Sequence, residues 1–257
     1  MSTLPVPLQF LMPKPLQPNK PLFIFLPGMD GTGQLLRRQL DGLGQCFDIR
    51  CLSIPAADLS DWNALAANVV NLIETEQPQR QVYLCGESFG GCLALKVATV
   101  APTLFHRLVL VNPATAFSRL PWMRLASSVS QFLPSPLYTA SAMGLIPFLI
   151  AWDRVEASDR NDLFKAMQSV EPQSATWRLN LLRQFDLLKL PLSKVTSPAL
   201  IITGVKDRLL PSVDEGQRLL SCLPKAQATV LKNSGHACLL EKEVNLHEIL
   251  HRQGFLT

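Results

Sequence analysis

The stretch CGESFGG at residues 85–91 sets one serine, Ser88, inside a Gly-x-Ser-x-Gly pattern. A serine hydroxyl is a weak nucleophile at neutral pH, so covalent chemistry at Ser88 requires a positioned base and donors for the charge that develops on an attacked carbonyl. The pattern has a steric logic. A nucleophile carried on a sharp turn from strand to helix needs neighbours without bulk, because the helix runs back close to the strand, and Gly86, Gly90 and Gly91 leave that room. The helix N-terminus then offers unpaired N–H groups and a positive dipole end to an oxyanion.

Histidine has the unperturbed pKa suited to the base, and the chain holds four. His106 precedes an apolar run and falls at the N-terminal edge of a sheet, opposite a nucleophile carried at a strand's C-terminal end. His247 and His251 lie on a late helical segment. His236, in KNSGHACLLE, follows the last strand-like run after a small-residue turn, and is the candidate base. An acceptor must fix its tautomer, and Asp207 in LIITGVKDRLLP stands just past another strand-like run. Asp214 and Glu215 are weaker candidates, since acidic residues commonly open a helix such as theirs.

Two other motifs invite different chemistry. FIFLPGMDGTG (23–33) resembles a phosphate loop, yet from Gly31 it runs GTGQLL, with Leu36 where a dinucleotide fingerprint needs its third glycine. No Gly-Lys-Ser/Thr follows, and the Asp30 carboxylate has the wrong sign for an anion cradle. The loop instead suits half of an oxyanion hole, with the Met29 N–H paired to that of Phe89, the residue after the nucleophile. HEILH (247–251) matches a zinc-binding His-Glu-x-x-His, but the third ligand expected downstream is not found before Thr257. No metal and no cofactor are therefore expected.

Positioning these residues takes a sheet. Apolar runs at 22–26, 47–54, 81–86, 107–112, 199–204 and 228–232 alternate with helix-period segments, which predicts an α/β fold with a mostly parallel sheet flanked by helices. Trp62, Leu65, Ala66, Val69, Val70 and Ile73 repeat at helical spacing behind Ser60 and Asp61, either able to cap. Further helices are expected at about 91–101 and 212–222. Residues 113–190 interrupt the rhythm and are expected to form a helical cap inserted into a core of 21–112 and 191–257. The apolar run LYTASAMGLIPFLIAW (137–152) is too short and too broken by Gly144 and Pro147 to span a bilayer, so it packs over the core or touches lipid peripherally.

Composition narrows the classes. With 47% hydrophobic and 17% charged residues the chain is greasier than average, and a net charge of +4 without a basic run gives no support to nucleic-acid binding. Cys46, Cys51, Cys85, Cys92, Cys222 and Cys238 are scattered, with Cys85 and Cys92 in apolar segments, which points to reduced thiols and a cytoplasmic setting. Prolines break residues 1–20 into an extended lead-in with no unbroken apolar export core.

LPGMDGTG, GESFGG, GVKDRLLP and NSGHACLLE stand where the α/β-hydrolase superfamily carries its oxyanion loop, nucleophile elbow, acid and base, and the sequence resembles that superfamily over roughly 21–250. Pro27-Gly28 in place of the usual His-Gly, together with KDRLLPS, resembles the esterase/lipase/thioesterase branch of plastids and cyanobacteria that includes phytyl ester synthases. Plant members of that branch add an acyltransferase-like domain, and the resemblance covers only their hydrolase-like part. It implies a serine hydrolase acting on a small-molecule ester with a lipid-like acyl or alcohol group. The alternatives are an acyltransferase using the same residues to form phytyl or glycerolipid esters, and a non-catalytic ligand-binding protein on this fold.

Overall fold

A computed structural model describes residues 7–76, 80–121, 123, 144 and 146–256. Seven strands form one sheet: β1 (Gln9–Leu11), β2 (Leu22–Leu26), β3 (Asp48–Ser53), β4 (Val82–Glu87), β5 (Arg107–Val111), β6 (Ala199–Gly204) and β7 (Ala226–Leu231), in the order β1-β3-β2-β4-β5-β6-β7. Strands β2 to β7 run parallel, and β1 pairs antiparallel with β3 through Gln9↔Ser53. The antiparallel edge strand arises within the stretch expected to be an extended lead-in. β7 begins two residues before its apolar run because Ala226 already pairs with Ala199.

All five residues of β2 are buried, as befits a central parallel strand covered on both faces. Leu22, Ile24 and Leu26 face one core cluster and Phe23 and Phe25 the other, following the two-residue period of a strand. Helices α1 (Trp62–Glu76) and α2 (Phe89–Val100) pack on the first face. Because the chain leaves β2 toward β3 but leaves β4 toward β5, the loops after β2 and β4 diverge and open a crevice at the C-terminal edge.

Between β5 and β6 the described residues hold a 3-10 segment (Ala114–Arg119), a short helix (Ile146–Leu149), α3 (Ala157–Gln168) and α4 (Pro172–Gln184). Half of the 137–152 run, residues 137–143 and 145, lies outside the described residues. The buried Asp159 of α3 accepts hydrogen bonds from Arg37 Nε at 2.9 Å and Arg38 Nε at 3.2 Å. On α4, the Trp177 indole donates to the Ser60 carbonyl at 3.0 Å. After β6 comes α5 (Ser212–Cys222), and after β7 comes α6 (Leu246–Arg252). No helix among the described residues is long and apolar enough to cross a membrane.

The cap on α1 is resolved in favour of one residue. Asp61 Oδ1 accepts from the N–H groups of Asn63 and Ala64 at 2.9 and 2.8 Å, while the Ser60 hydroxyl is turned away to Asp58. Asp61→Ala should therefore cost ~1 kcal/mol. Ser60→Ala should cost well under that, and urea midpoints of the two variants against the parent decide between them.

Candidate active site

Ser88 sits between β4 and α2 with φ 53° and ψ −114°, a backbone conformation that a residue with a side chain rarely adopts. The neighbouring chain leaves no alternative. A Cβ on Gly90 would lie 2.0 Å from the Leu26 carbonyl oxygen, and one on Gly86 would lie 2.2 Å from that of Gly90. The helix starts at Phe89, directly after the turn and two residues earlier than its periodicity predicts. Ser88 N donates to Val111 O at 3.0 Å, and Ser88 O accepts from Gly91 N and Ala114 N, both at 3.0 Å.

His236 Nε2 lies 2.8 Å from Ser88 Oγ, and His236 Nδ1 lies 2.7 Å from Asp207 Oδ2. With Asp207 accepting at Nδ1, the neutral ring presents Nε2 as acceptor to the serine hydroxyl. Asp207 is held in turn by the N–H groups of Leu209 and Leu210 at 2.9 and 3.0 Å and by the Ser212 hydroxyl. Burial alone would raise its pKa, but the His236 charge and the hydrogen bonds from His236 and Ser212 hold it below the ordinary carboxylate range. Burial would also lower that of His236, and Asp207, with a smaller contribution from Glu87, lifts it above the ordinary imidazole value.

The loop carrying His236 is pinned from beneath. Buried Asn112, at φ 40°, donates through Nδ2 to the carbonyls of Gly235 at 3.0 Å and His236 at 2.6 Å, and accepts from Gly204 N at 2.8 Å. Glu241, fully buried, accepts from Gly235 N at 2.7 Å and from Arg154 Nε at 2.8 Å.

The glycine-rich loop closes as a turn, with Gly31 N donating to Gly28 O at 3.1 Å. Asp30 works inside it: Oδ2 accepts from the N–H of Thr32 at 2.8 Å and its hydroxyl at 2.6 Å. A Cβ on Gly28 would stand 3.8 Å from that of Ser88, so this loop borders the serine. Among the described residues, neither the Met29 N–H nor the Phe89 N–H has a hydrogen-bond acceptor. The Phe89 ring itself is buried against Trp62, their centroids 4.7 Å apart.

The competing candidates are occupied elsewhere. His106 Nδ1 accepts from Val82 N at 3.3 Å at the opposite edge of the sheet. His247 faces Cys46 Sγ at 3.4 Å, and Glu248 pairs with Arg252 at 2.6 Å. Glu215 accepts from Thr115 and Arg119 at 2.7 and 2.9 Å, away from His236.

Sequence spacing gives no role to three residues: Asn112 beneath the His236 loop, Arg178 against the glycine-rich loop and Glu87 beside Ser88. Arg178 on α4 donates to the Met29 and Pro55 carbonyls at 2.7 and 3.1 Å. Glu87 is buried, its Oε1 has no hydrogen-bond partner, and burial raises its pKa to about 8. GESFGG announces a glutamate beside the nucleophile, but whether its carboxyl meets donors is decided by residues distant in sequence.

A family model described as serine aminopeptidase, S33 matches residues 55–243. Phytyl ester synthase 1, chloroplastic, of Arabidopsis thaliana is 31% identical over 263 residues, which cover 92% of this chain; the chain spans only 37% of that protein's length. A pimeloyl-(acyl-carrier protein) methyl ester esterase of Pectobacterium atrosepticum is 26% identical over 223 residues, covering 83% of this chain and 86% of the relative. The solved structure of a hydrolase from Oleispira antarctica superposes with a TM-score of 0.79 at 16% identity, covering 96% of this chain and 93% of that one.

Glu87 supplies a test of the electrostatics. A carboxyl whose pKa rises from 4.5 to about 8 on folding binds more protons folded than unfolded across that window, so it erodes stability as pH climbs through it. Relative to the parent, Glu87→Gln should gain stability steadily between those values and level off above them, as followed by urea unfolding at stepped pH.

Proposed function

The chain belongs to the serine aminopeptidase, S33 family of α/β-hydrolases, and we propose on that premise that it is a serine hydrolase that cleaves a carboxylic ester with a lipid-like acyl or alcohol group. The observation that carries the reading is the unbroken chain from Ser88 Oγ through His236 to Asp207, with links of 2.8 and 2.7 Å. Ser88 attacks the ester carbonyl as His236 Nε2 takes its proton, and Asp207 stabilises the imidazolium. The N–H groups of Met29 and Phe89 receive the oxyanion. Collapse expels the alcohol, which leaves with the proton from His236. Water, deprotonated by the same imidazole, then attacks the acyl-enzyme and releases the acid.

Residues 113–190 act in this reading as a cap over the crevice. Its support for an apolar substrate lies in exposed Phe148 and Trp152, on the stretch whose Leu149 carbonyl accepts from Ala237 N at 2.8 Å, next to His236. A second reading, acyl transfer to a long-chain alcohol in place of water, draws on the similarity to phytyl ester synthase 1. Both use the same acyl-enzyme, and analysis of products formed with phytol present separates them: free acid alone rejects transfer.

A fluorophosphonate probe should label the protein and fail to label Ser88→Ala; labelling that survives the substitution rejects the mechanism. In a chromogenic series, long acyl esters should be preferred, whereas a preference for short polar esters rejects the lipid-like substrate. Because the base acts neutral and its pKa is raised, kcat/KM should climb with pH through a midpoint above 6.5.

A further inference from the structure

Arg178 lies on α4, 149 residues after Met29, and is 2% exposed. One guanidinium nitrogen donates to the Met29 carbonyl at 2.7 Å and the other to the Pro55 carbonyl at 3.1 Å, past the end of β3. The space for it is built into the loop. A Cβ on Gly31 would lie 2.6 Å from Arg178 Nη1, and Gly31 takes φ 68°, so a glycine there serves both the turn and the arginine. The loop is tied down on its other side, where Ile54 N donates to Gly31 O at 2.7 Å.

The α4 helix cannot shift freely around this contact. The Trp177 indole donates to Ser60 O at 3.0 Å, and the Trp62 indole donates back to Leu181 O at 2.9 Å. These bonds fix α4 to the chain on either side of the α1 N-terminus, and Arg178 projects from that anchored helix onto Met29.

We propose that Arg178 is a positioning residue for catalysis: by gripping the Met29 carbonyl it locks the oxyanion loop in the conformation that presents the Met29 N–H. The Gly28–Gly31 turn has the Met29–Asp30 peptide at its centre, and a single turn hydrogen bond leaves such a peptide two orientations related by a flip. With its oxygen accepting from Nη1 of an arginine whose Nη2 is anchored on the Pro55 carbonyl, that peptide keeps one of them. The flipped form would exchange the Met29 carbonyl for the Asp30 N–H and change ψ of Met29, shifting the residue whose own N–H, in the preceding peptide, is read as the oxyanion donor. The role rests on the reading of Ser88 as nucleophile and Met29 as oxyanion donor.

Steady-state kinetics on a p-nitrophenyl ester, with inhibition by a boronic acid that mimics the tetrahedral state, test it in the full chain. Arg178→Ala should lower kcat by roughly 10²-fold, the scale of losing one oxyanion donor, with KM nearly unchanged. Boronate inhibition should weaken in step, inhibition by the product acid should not, and millimolar guanidinium should restore part of kcat. If Arg178→Ala does not fold, Arg178→Lys decides: one ammonium retains the charge without the planar fork, so kcat should fall while KM holds. A kcat within about threefold of the parent, or a loss carried by KM alone, overturns the proposal. If Ser88→Ala itself keeps turnover, the underlying reading has failed; if it abolishes turnover while Arg178 variants keep kcat, only this inference has.

Discussion

The closeness of helix α2 to the C-terminal ends of β2 and β4 is the constraint on which the rest of the site depends. At Gly90 the helix backbone passes so near the Leu26 carbonyl that no side chain fits, and the turn before it forces Ser88 to φ 53°. Such a conformation costs on the order of 1–3 kcal/mol and persists only where the surroundings over-determine it. Here the serine peptide is held from both sides, by Val111 O on one and by the N–H groups of Gly91 and Ala114 on the other. The hydroxyl position is thus fixed by backbone packing, and the imidazole and the glycine-rich loop are built up to it.

Burial alone does not decide which acid near His236 carries charge. Asp207 and Glu87 both lie in the interior, yet their pKa values move in opposite directions. Asp207 collects two backbone N–H donors, a hydroxyl and the imidazole. Glu87 has no donor for Oε1 and is repelled by Asp30 as well. Desolvation is common to both; hydrogen bonds to the ionised form separate them.

The parallel sheet was legible because its central strands are continuous apolar runs, and the elbow because glycines bracket a serine between a strand and a helix. His236 and Asp207 could be picked out by elimination, since each follows a strand and so reaches the same edge. What escaped notice depends on pairings that local sequence does not encode. β1 is a strand only because β3 offers it an edge, and its QFL gives little periodicity to detect. Arg178 looks like any charged residue on a helix, and its burial follows from where α4 lands. Asn112 sits after an apolar run like many turn residues, and its side-chain bonds join β5, β6 and the His236 loop. Asp30, of the wrong sign for phosphate, proves to organise its own loop through Thr32.

The hydrogen bond between Ser88 and His236 joins positions 148 residues apart, and the histidine follows the last strand of the sheet. A chain emerging from the ribosome therefore carries its serine long before it carries an imidazole to set beside it, and a lone hydroxyl in water is a poor nucleophile. On the proposed mechanism reactivity is postponed by topology: the nascent protein remains chemically quiet until the final parallel strand docks.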